Sequence, residues 1–133
     1  MKSTLLLAIS SLLLFSACSE EDGSDPFVDE RLKFLGTWSC KETIGTSTMT
    51  FPIIITSYGE SDSVRISNFS NYGNNAVALG LISGKSIVIP NQQIGITNIV
   101  VQGSGLYSSQ GASEKITMNY ISDGQNATAV CTK

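Results

Sequence analysis

From residue 37 onward, short apolar runs alternate with polar turn residues, which is typical of β-strands joined by hairpins. The alternation is clearest in Val64/Ile66, Val77/Leu79/Leu81, Ile87/Ile89 and Ile116/Met118/Tyr120. Eight strands are predicted near 37–44, 48–57, 62–68, 75–82, 85–90, 96–107, 114–121 and 126–132. Because hairpin turns and not crossover helices connect them, we predict an all-β fold of antiparallel strands, either a sandwich or an up-and-down barrel.

The one helix-compatible stretch precedes these strands, at 27–34, and it is long enough for one or two turns. Large apolar side chains on the inward positions are sufficient to fill most of a short eight-stranded barrel. We therefore expect a filled interior, or a shallow pocket at the open end, in place of a deep cup.

The N-terminus has the order of a secretory signal: Lys2, an apolar stretch from Leu5 to Phe15, then small residues before Cys18. The apolar stretch is shorter than the roughly 20 residues that span a bilayer. Residues 14–18 (LFSAC) resemble the lipobox of bacterial lipoproteins, although Phe15 stands where an aliphatic residue is usual. The resemblance implies a signal peptide over 1–17, lipidation of Cys18 and a lipid anchor in the bacterial outer membrane. An ordinary signal peptide with a chance cysteine is the alternative.

Residues 18–30 form the lipidated cysteine and an acidic tether, which holds six of the chain's 11 acidic residues. From Arg31 onward there are seven basic and five acidic residues, so the predicted barrel domain, 31–133, is close to neutral. The acidic run resembles the one that marks surface export of lipoproteins in Bacteroidetes, and a plain spacer is the alternative. The periplasmic face and the cell surface both stay open as locations.

Gly36-Thr37-Trp38, at the start of the first predicted strand, resembles the Gly-x-Trp motif of lipocalins and their calycin relatives. In that family the tryptophan plugs the closed end of the barrel and a short helical turn covers it. The basic residue that lipocalins stack on this tryptophan has one candidate here, Lys133. The chain as a whole is most similar to small calycin-like lipoproteins of Bacteroidetes. The resemblance favours, over a sandwich, a small antiparallel up-and-down barrel of about eight strands that is lipocalin-like and has a short N-terminal helical turn.

Cys40 and Cys131 fall in the first and last predicted strands, which are neighbours in a closed meander. With Cys18 lipidated, they form an even pair in an oxidising compartment, and we predict that they are disulfide-bonded. Two reduced cysteines are the alternative.

Candidate catalytic chemistry is sparse, because the chain has no histidine and no Gly-x-Ser-x-Gly elbow. Glu60 and Asp62 lack the spacing of a calcium loop. Glu42 is in phase with Trp38 and Cys40, yet we expect it at a solvated strand end. We predict no enzyme activity, no metal and no cofactor, and eight basic residues argue against nucleic-acid binding.

The segment with the most suggestive composition is 68–75, in which Asn68, Phe69, Asn71 and Tyr72 combine amide and aromatic groups. Such a loop suits a small apolar or glycan ligand, or it simply covers the end of the barrel. Two functions stay open: a binding protein for such a ligand, and a structural or accessory subunit that contacts an envelope protein partner. An open lumen would favour the first function and a packed one the second.

Overall fold

In the computed structural model, which describes residues 28–133, the chain forms a closed antiparallel barrel with its eight strands in sequence order. The strands are β1 (Gly36–Ile44), β2 (Ser47–Ser57), β3 (Ser63–Ser67), β4 (Ala78–Ser83), β5 (Ser86–Ile94), β6 (Ile99–Gln110), β7 (Ser113–Ser122) and β8 (Gln125–Thr132). Strand β1 pairs with both β2 and β8, which closes the barrel. The predicted all-β up-and-down barrel is confirmed. The predicted signal peptide, the lipidation site Cys18 and the tether as far as residue 27 lie outside the described residues.

Two features of local structure differ from the prediction. Strand β5 continues past Pro90 to Ile94, because a bulge between Ile89 and Gln92 absorbs the proline without ending the strand. The stretch before β1 is a hydrogen-bonded turn over residues 30–34, in which the Phe34 amide donates to the Arg31 carbonyl at 2.8 Å.

The two ends of the barrel differ, and we name them by what occupies them. The plug end holds the turn before β1, the connections 58–62, 84–85 and 111–112, and Lys133. The mouth holds the connections 45–46, 68–77, 95–98 and 123–124. Trp38 is completely buried near the plug end, and Phe69 is buried at the mouth.

Apolar side chains fill the barrel between these ends. Inward residues of β2, β5 and β7, such as Ile53, Ile87 and Ile116, are almost completely buried. Gly105 faces the same interior, where an added Cβ would lie 2.7 Å from Met118 Cγ and 2.9 Å from Ile87 Cγ2. Large residues thus occupy the space that small neighbours leave, as expected for a packed core.

The alternation of Val77, Leu79 and Leu81 predicted that Leu79 and Leu81 face the interior, and this prediction for β4 is wrong by one residue. Leu79 and Leu81 are 41% and 43% exposed, while Ala78 and Ile82 are buried. A shift of one position exchanges the two faces of a strand. Gly80 decides the register, because its inward position leaves room for Ile87, whose Cδ1 would lie 3.0 Å from an added Cβ.

A side-chain amide completes the sheet where β4 and β5 separate. Their backbone pairing covers only Leu81–Ser83 against Ser86–Val88. Beyond it, Gln92 Oε1 accepts a hydrogen bond from the Leu79 amide and Gln92 Nε2 donates to the Leu79 carbonyl, both at 2.8 Å. The Gln92 side chain therefore replaces the peptide group that the bulge and Pro90 remove from the ladder.

We expect Gln92→Ala to lower the free energy of unfolding by about 1–2 kcal/mol, because it removes three hydrogen bonds to the backbone, two to Leu79 and one to Pro90. Urea denaturation measures the change. Gln93→Ala is the control, since Gln93 is exposed on the same strand. Equal effects of the two substitutions would contradict the role given to Gln92.

Candidate functional site

The plug end is organised around Trp38. Its indole Nε1 donates to the Phe34 carbonyl at 2.7 Å, and the Lys133 ammonium lies 4.5 Å from the centre of its ring. Lys133 Nζ also donates to the Leu35 carbonyl at 2.9 Å. Gly36 has a φ of 116°, a conformation that glycine adopts without strain at the start of β1. The candidate motif residues Gly36 and Trp38 therefore lie where the turn, the first strand and the C-terminus meet.

The disulfide between Cys40 and Cys131 is present, as predicted. The two residues are direct partners in the β1–β8 ladder, and both side chains are buried. The bond therefore joins the first and last strands at the seam where the barrel closes.

The chain enters the barrel at the plug end, where Arg31 holds it in place. The guanidinium pairs with the Asp29 carboxylate at 2.8 Å and donates to the carbonyls of Gly59 and Ser63. The hydrogen bonds from Arg31 lower the pKa of Asp29. Any segment that precedes Val28 is therefore attached at the end opposite the mouth.

The two ends of the barrel differ in the number of charged residues they carry. At the plug end, charged residues are carried by the turn before β1, the connections, the start of β7 and the residue after β8: Asp29, Glu30, Arg31, Lys33, Glu60, Asp62, Lys85, Glu114, Lys115 and Lys133. On the connections of the mouth the described chain has one charged residue, Asp123. Met49, Tyr72 and Ile96 are exposed there, and Ile96 is 93% exposed at a hairpin tip. The mouth therefore presents a rim with apolar side chains and, on its connections, a single charge at Asp123.

The loop 68–77 closes the mouth. Phe69 is 1% exposed, and its ring lies 4.8 Å from the ring of Tyr120 between centroids. Asn68 Nδ2 donates to the Pro52 carbonyl at 2.7 Å, and Asn68 Oδ1 accepts from the Gly73 amide. Asn71 contacts the Met49 sulfur, whereas Tyr72 is half-exposed. Of the four residues predicted for a ligand loop, Phe69 thus covers the barrel, Asn68 and Asn71 fasten the loop, and Tyr72 faces solvent.

The closed loop has an unfavourable backbone conformation. Asn68, Ser70 and Asn71 have φ angles of 59°, 53° and 60°, in the left-handed region. Asparagine tolerates this region, but serine adopts it at a cost of about 1–2 kcal/mol. The contacts beneath the loop hold it in this conformation.

Glu42 lies beneath the loop, and the expectation that it is solvated is wrong. It is 2% exposed, and its Oε1 accepts hydrogen bonds from the hydroxyls of Ser70, at 2.8 Å, and Tyr120. The phase of Glu42 with Trp38 and Cys40 indicated an inward position, but its partners could not be foreseen. Tyr120 is distant in sequence, and Ser70 comes from an irregular loop.

Burial and the Glu42 carboxylate raise the pKa of Tyr120. The folded state thus favours the neutral phenol. The resulting contribution to stability is fully present below the ordinary pKa of about 10 and declines as the pH rises above it. We expect the free energy of unfolding to fall by up to about 1.4 kcal/mol per pH unit above pH 10 through this group. Denaturation from pH 8 to 12, with Tyr120→Phe as the comparison, measures it. Parallel curves for the two proteins would contradict the assignment.

The other candidate positions form weaker sites. Glu60 and Asp62 line an open depression at the plug end, and no three potential metal ligands cluster within residues 28–133. A groove of about 620 Å³ crosses the outer wall over β5–β8, where Asn91, Gln102 and Asn119 are exposed. Side-chain hydrogen bonds join Asn91 to Gln102 and Thr128 to Asn119. The polar side chains of the groove are thus partly satisfied by one another.

Comparison with known proteins supports the fold. A crystal structure from Bacteroides fragilis NCTC 9343, of a protein provisionally described as an outer membrane protein, superimposes with a TM-score of 0.50 and 13% sequence identity. The match covers 78% of this chain and 52% of the other, so this chain spans about half the length of that protein. The sequence matches no protein-family model and no curated protein.

Among residues 28–133, no helix is both long and apolar enough to cross a membrane.

Proposed function

We propose that the protein is a lipocalin-like, lipid-anchored lipoprotein of the bacterial outer membrane that binds a small ligand at its mouth and is not an enzyme. The observation that carries the proposal is the buried Glu42 carboxylate beneath the loop 68–77. A buried carboxylate is costly unless partners compensate it, and the two partners of Glu42 are neutral hydroxyls that carry no opposite charge.

The lipocalin-like assignment is supported by the arrangement around Trp38. Lys133 follows the last strand and stacks on the indole ring, which is the position of the basic residue in the family that Gly36-Thr37-Trp38 resembles. The turn before β1 supplies the carbonyl that accepts the indole hydrogen bond.

Lipid anchoring at Cys18 is consistent with the polarity of the barrel. Ten peptide steps separate Cys18 from Val28, which allows a reach of at most about 35 Å. Because this segment joins the plug end, an anchored barrel would direct its mouth away from the membrane. Incorporation of labelled palmitate into the wild-type protein but not into Cys18→Ala tests the anchor, and equal labelling would refute it.

Small apolar compounds and glycans are the proposed ligand classes, and the packed interior restricts them to the mouth. Screening hydrophobic dyes and glycans against the purified protein tests this function. We expect displaceable binding that Met49 and Tyr72 substitutions weaken. A flat response over the whole screen would refute it.

The packed interior favours a second function, an accessory subunit that contacts an envelope protein partner. The rim of the mouth, with Met49, Tyr72 and Ile96, offers apolar surface for such a contact. Crosslinking in intact cells tests it, and recovery of the monomer alone would count against it. A flat ligand screen together with a crosslinked partner would select this function over the first.

A further inference from the structure

We infer that the loop 68–77 is a displaceable cover of the mouth, and that the space beneath it receives an organic cation, a primary amine attached to an apolar group. The inference rests on the proposed function, binding at the mouth, and specifies the chemistry of the ligand. It follows from three features of the mouth: the carboxylate of Glu42, the ring of Phe69 and the attachment of the loop.

The carboxylate of Glu42 lacks a cationic partner. The ion pairs of the described chain are Arg31–Asp29, Lys33–Glu30 and Lys133–Glu114, all at the plug end. Both hydrogen bonds to Glu42 come from neutral hydroxyls and end on the same oxygen, Oε1. An ammonium group carries the complementary charge and has three N–H donors, so it could bind Oε2 as well as replace Ser70 at Oε1.

The ring of Phe69 occupies the place that the apolar part of a ligand would take. It reaches the core from a connection and not from a strand, and it packs on Tyr120. The wall beside it is formed by small residues, since Tyr120 pairs with Ala127 and Glu42 pairs with Ala129. When Phe69 leaves, an apolar group of similar size can stack on Tyr120 with its ammonium at Glu42.

The loop is fastened to the barrel by few polar contacts. Its four backbone hydrogen bonds are internal to the connection: the amides of Phe69, Asn71, Tyr72 and Ala76 donate to the carbonyls of Ala76, Asn68, Phe69 and Gly73, respectively. The side-chain contacts to strands are those of Asn68 with Pro52, Ser70 with Glu42, and Asn71 with Met49. Opening relaxes the left-handed Ser70, so a ligand that replaces the contacts of Phe69 and Ser70 can stabilise the open form.

The test compares phenethylamine with 2-phenylethanol, which differ in the ammonium group, by isothermal titration calorimetry. We expect the wild type to bind the amine at least about tenfold more tightly than the alcohol. Phe69→Ala should strengthen amine binding about tenfold, because the Phe69 ring no longer competes with the apolar group of the amine. Glu42→Gln should abolish the preference for the amine. Glu114→Gln is the matched control, because Glu114 also accepts a hydrogen bond from a tyrosine, Tyr107, but at the plug end.

The outcomes separate this inference from the proposed function. Equal binding of amine and alcohol, or an amine preference that survives Glu42→Gln, would overturn the inference and leave mouth binding intact. Loss of the preference in Glu114→Gln would place the cation at the plug end and also overturn it. If neither phenethylamine nor 2-phenylethanol binds, and the dye and glycan screen also detects no binding, the proposed ligand function is refuted as well. If Phe69→Ala does not fold, Phe69→Leu provides the same comparison with a smaller change in the core.

Discussion

Replacing Cys40 and Cys131 together with alanine should lower the free energy of unfolding by about 4–5 kcal/mol. The disulfide closes a loop with a sequence separation of 91 residues, and in the chain-entropy model a loop of that size gives this magnitude. It also joins the two strands whose pairing closes the barrel. Urea denaturation of the oxidised wild type and the double variant measures the difference.

Reductant provides the control for this substitution. Wild-type protein that is unfolded and refolded in dithiothreitol should have nearly the stability of the double variant, and the variant itself should not respond to dithiothreitol. A loss below about 1 kcal/mol would show that β1 and β8 hold the seam without the bond.

Gly103→Ala should destabilise the barrel by about 3 kcal/mol or prevent folding. An added Cβ would lie 2.3 Å from Tyr120 Cβ, 2.4 Å from the Asn119 carbonyl oxygen and 2.6 Å from Tyr120 Cα. Because two of these three atoms belong to the backbone of β7, no rotamer change relieves the overlap, and strands β6 and β7 must separate. Thermal unfolding measures the loss.

Gly105→Ala is the matched control, two residues along the same face of β6. Its closest contact is Met118 Cγ at 2.7 Å, which belongs to a flexible side chain. We expect a loss of about 1–2 kcal/mol, the lower part of the range for overpacking. Equal losses at the two glycines would contradict the argument that backbone contact sets the cost at Gly103.

The strand pattern predicted the architecture because alternation determines faces locally. The inward positions of β3, β5 and β7 followed from such pairs as Ile87 and Ile89. It failed on β4, where both faces carry apolar residues and the choice depends on how Gly80 fits Ile87. That choice is a property of neighbouring strands and cannot be read from one run.

The candidate site was predictable only in part. Gly36 and Trp38 form a local motif, and the cysteines follow from the order of the strands. The cluster at Glu42 requires contacts with Ser70 and Tyr120 across the closed barrel, and the position of Ser70 depends on an irregular loop. Lys133 reaches Trp38 because the barrel returns the last strand beside the first.

The most direct test of the mouth as the binding end is a protein-observed NMR titration of the uniformly ¹⁵N-labelled protein with dyes, glycans and phenethylamine. We predict that the shift changes cluster at Glu42, Phe69, Ser70 and Tyr120 and that the signals of Trp38 stay unchanged. Changes centred on Trp38 or on the Asn119 groove, or no change with any probe, would contradict it.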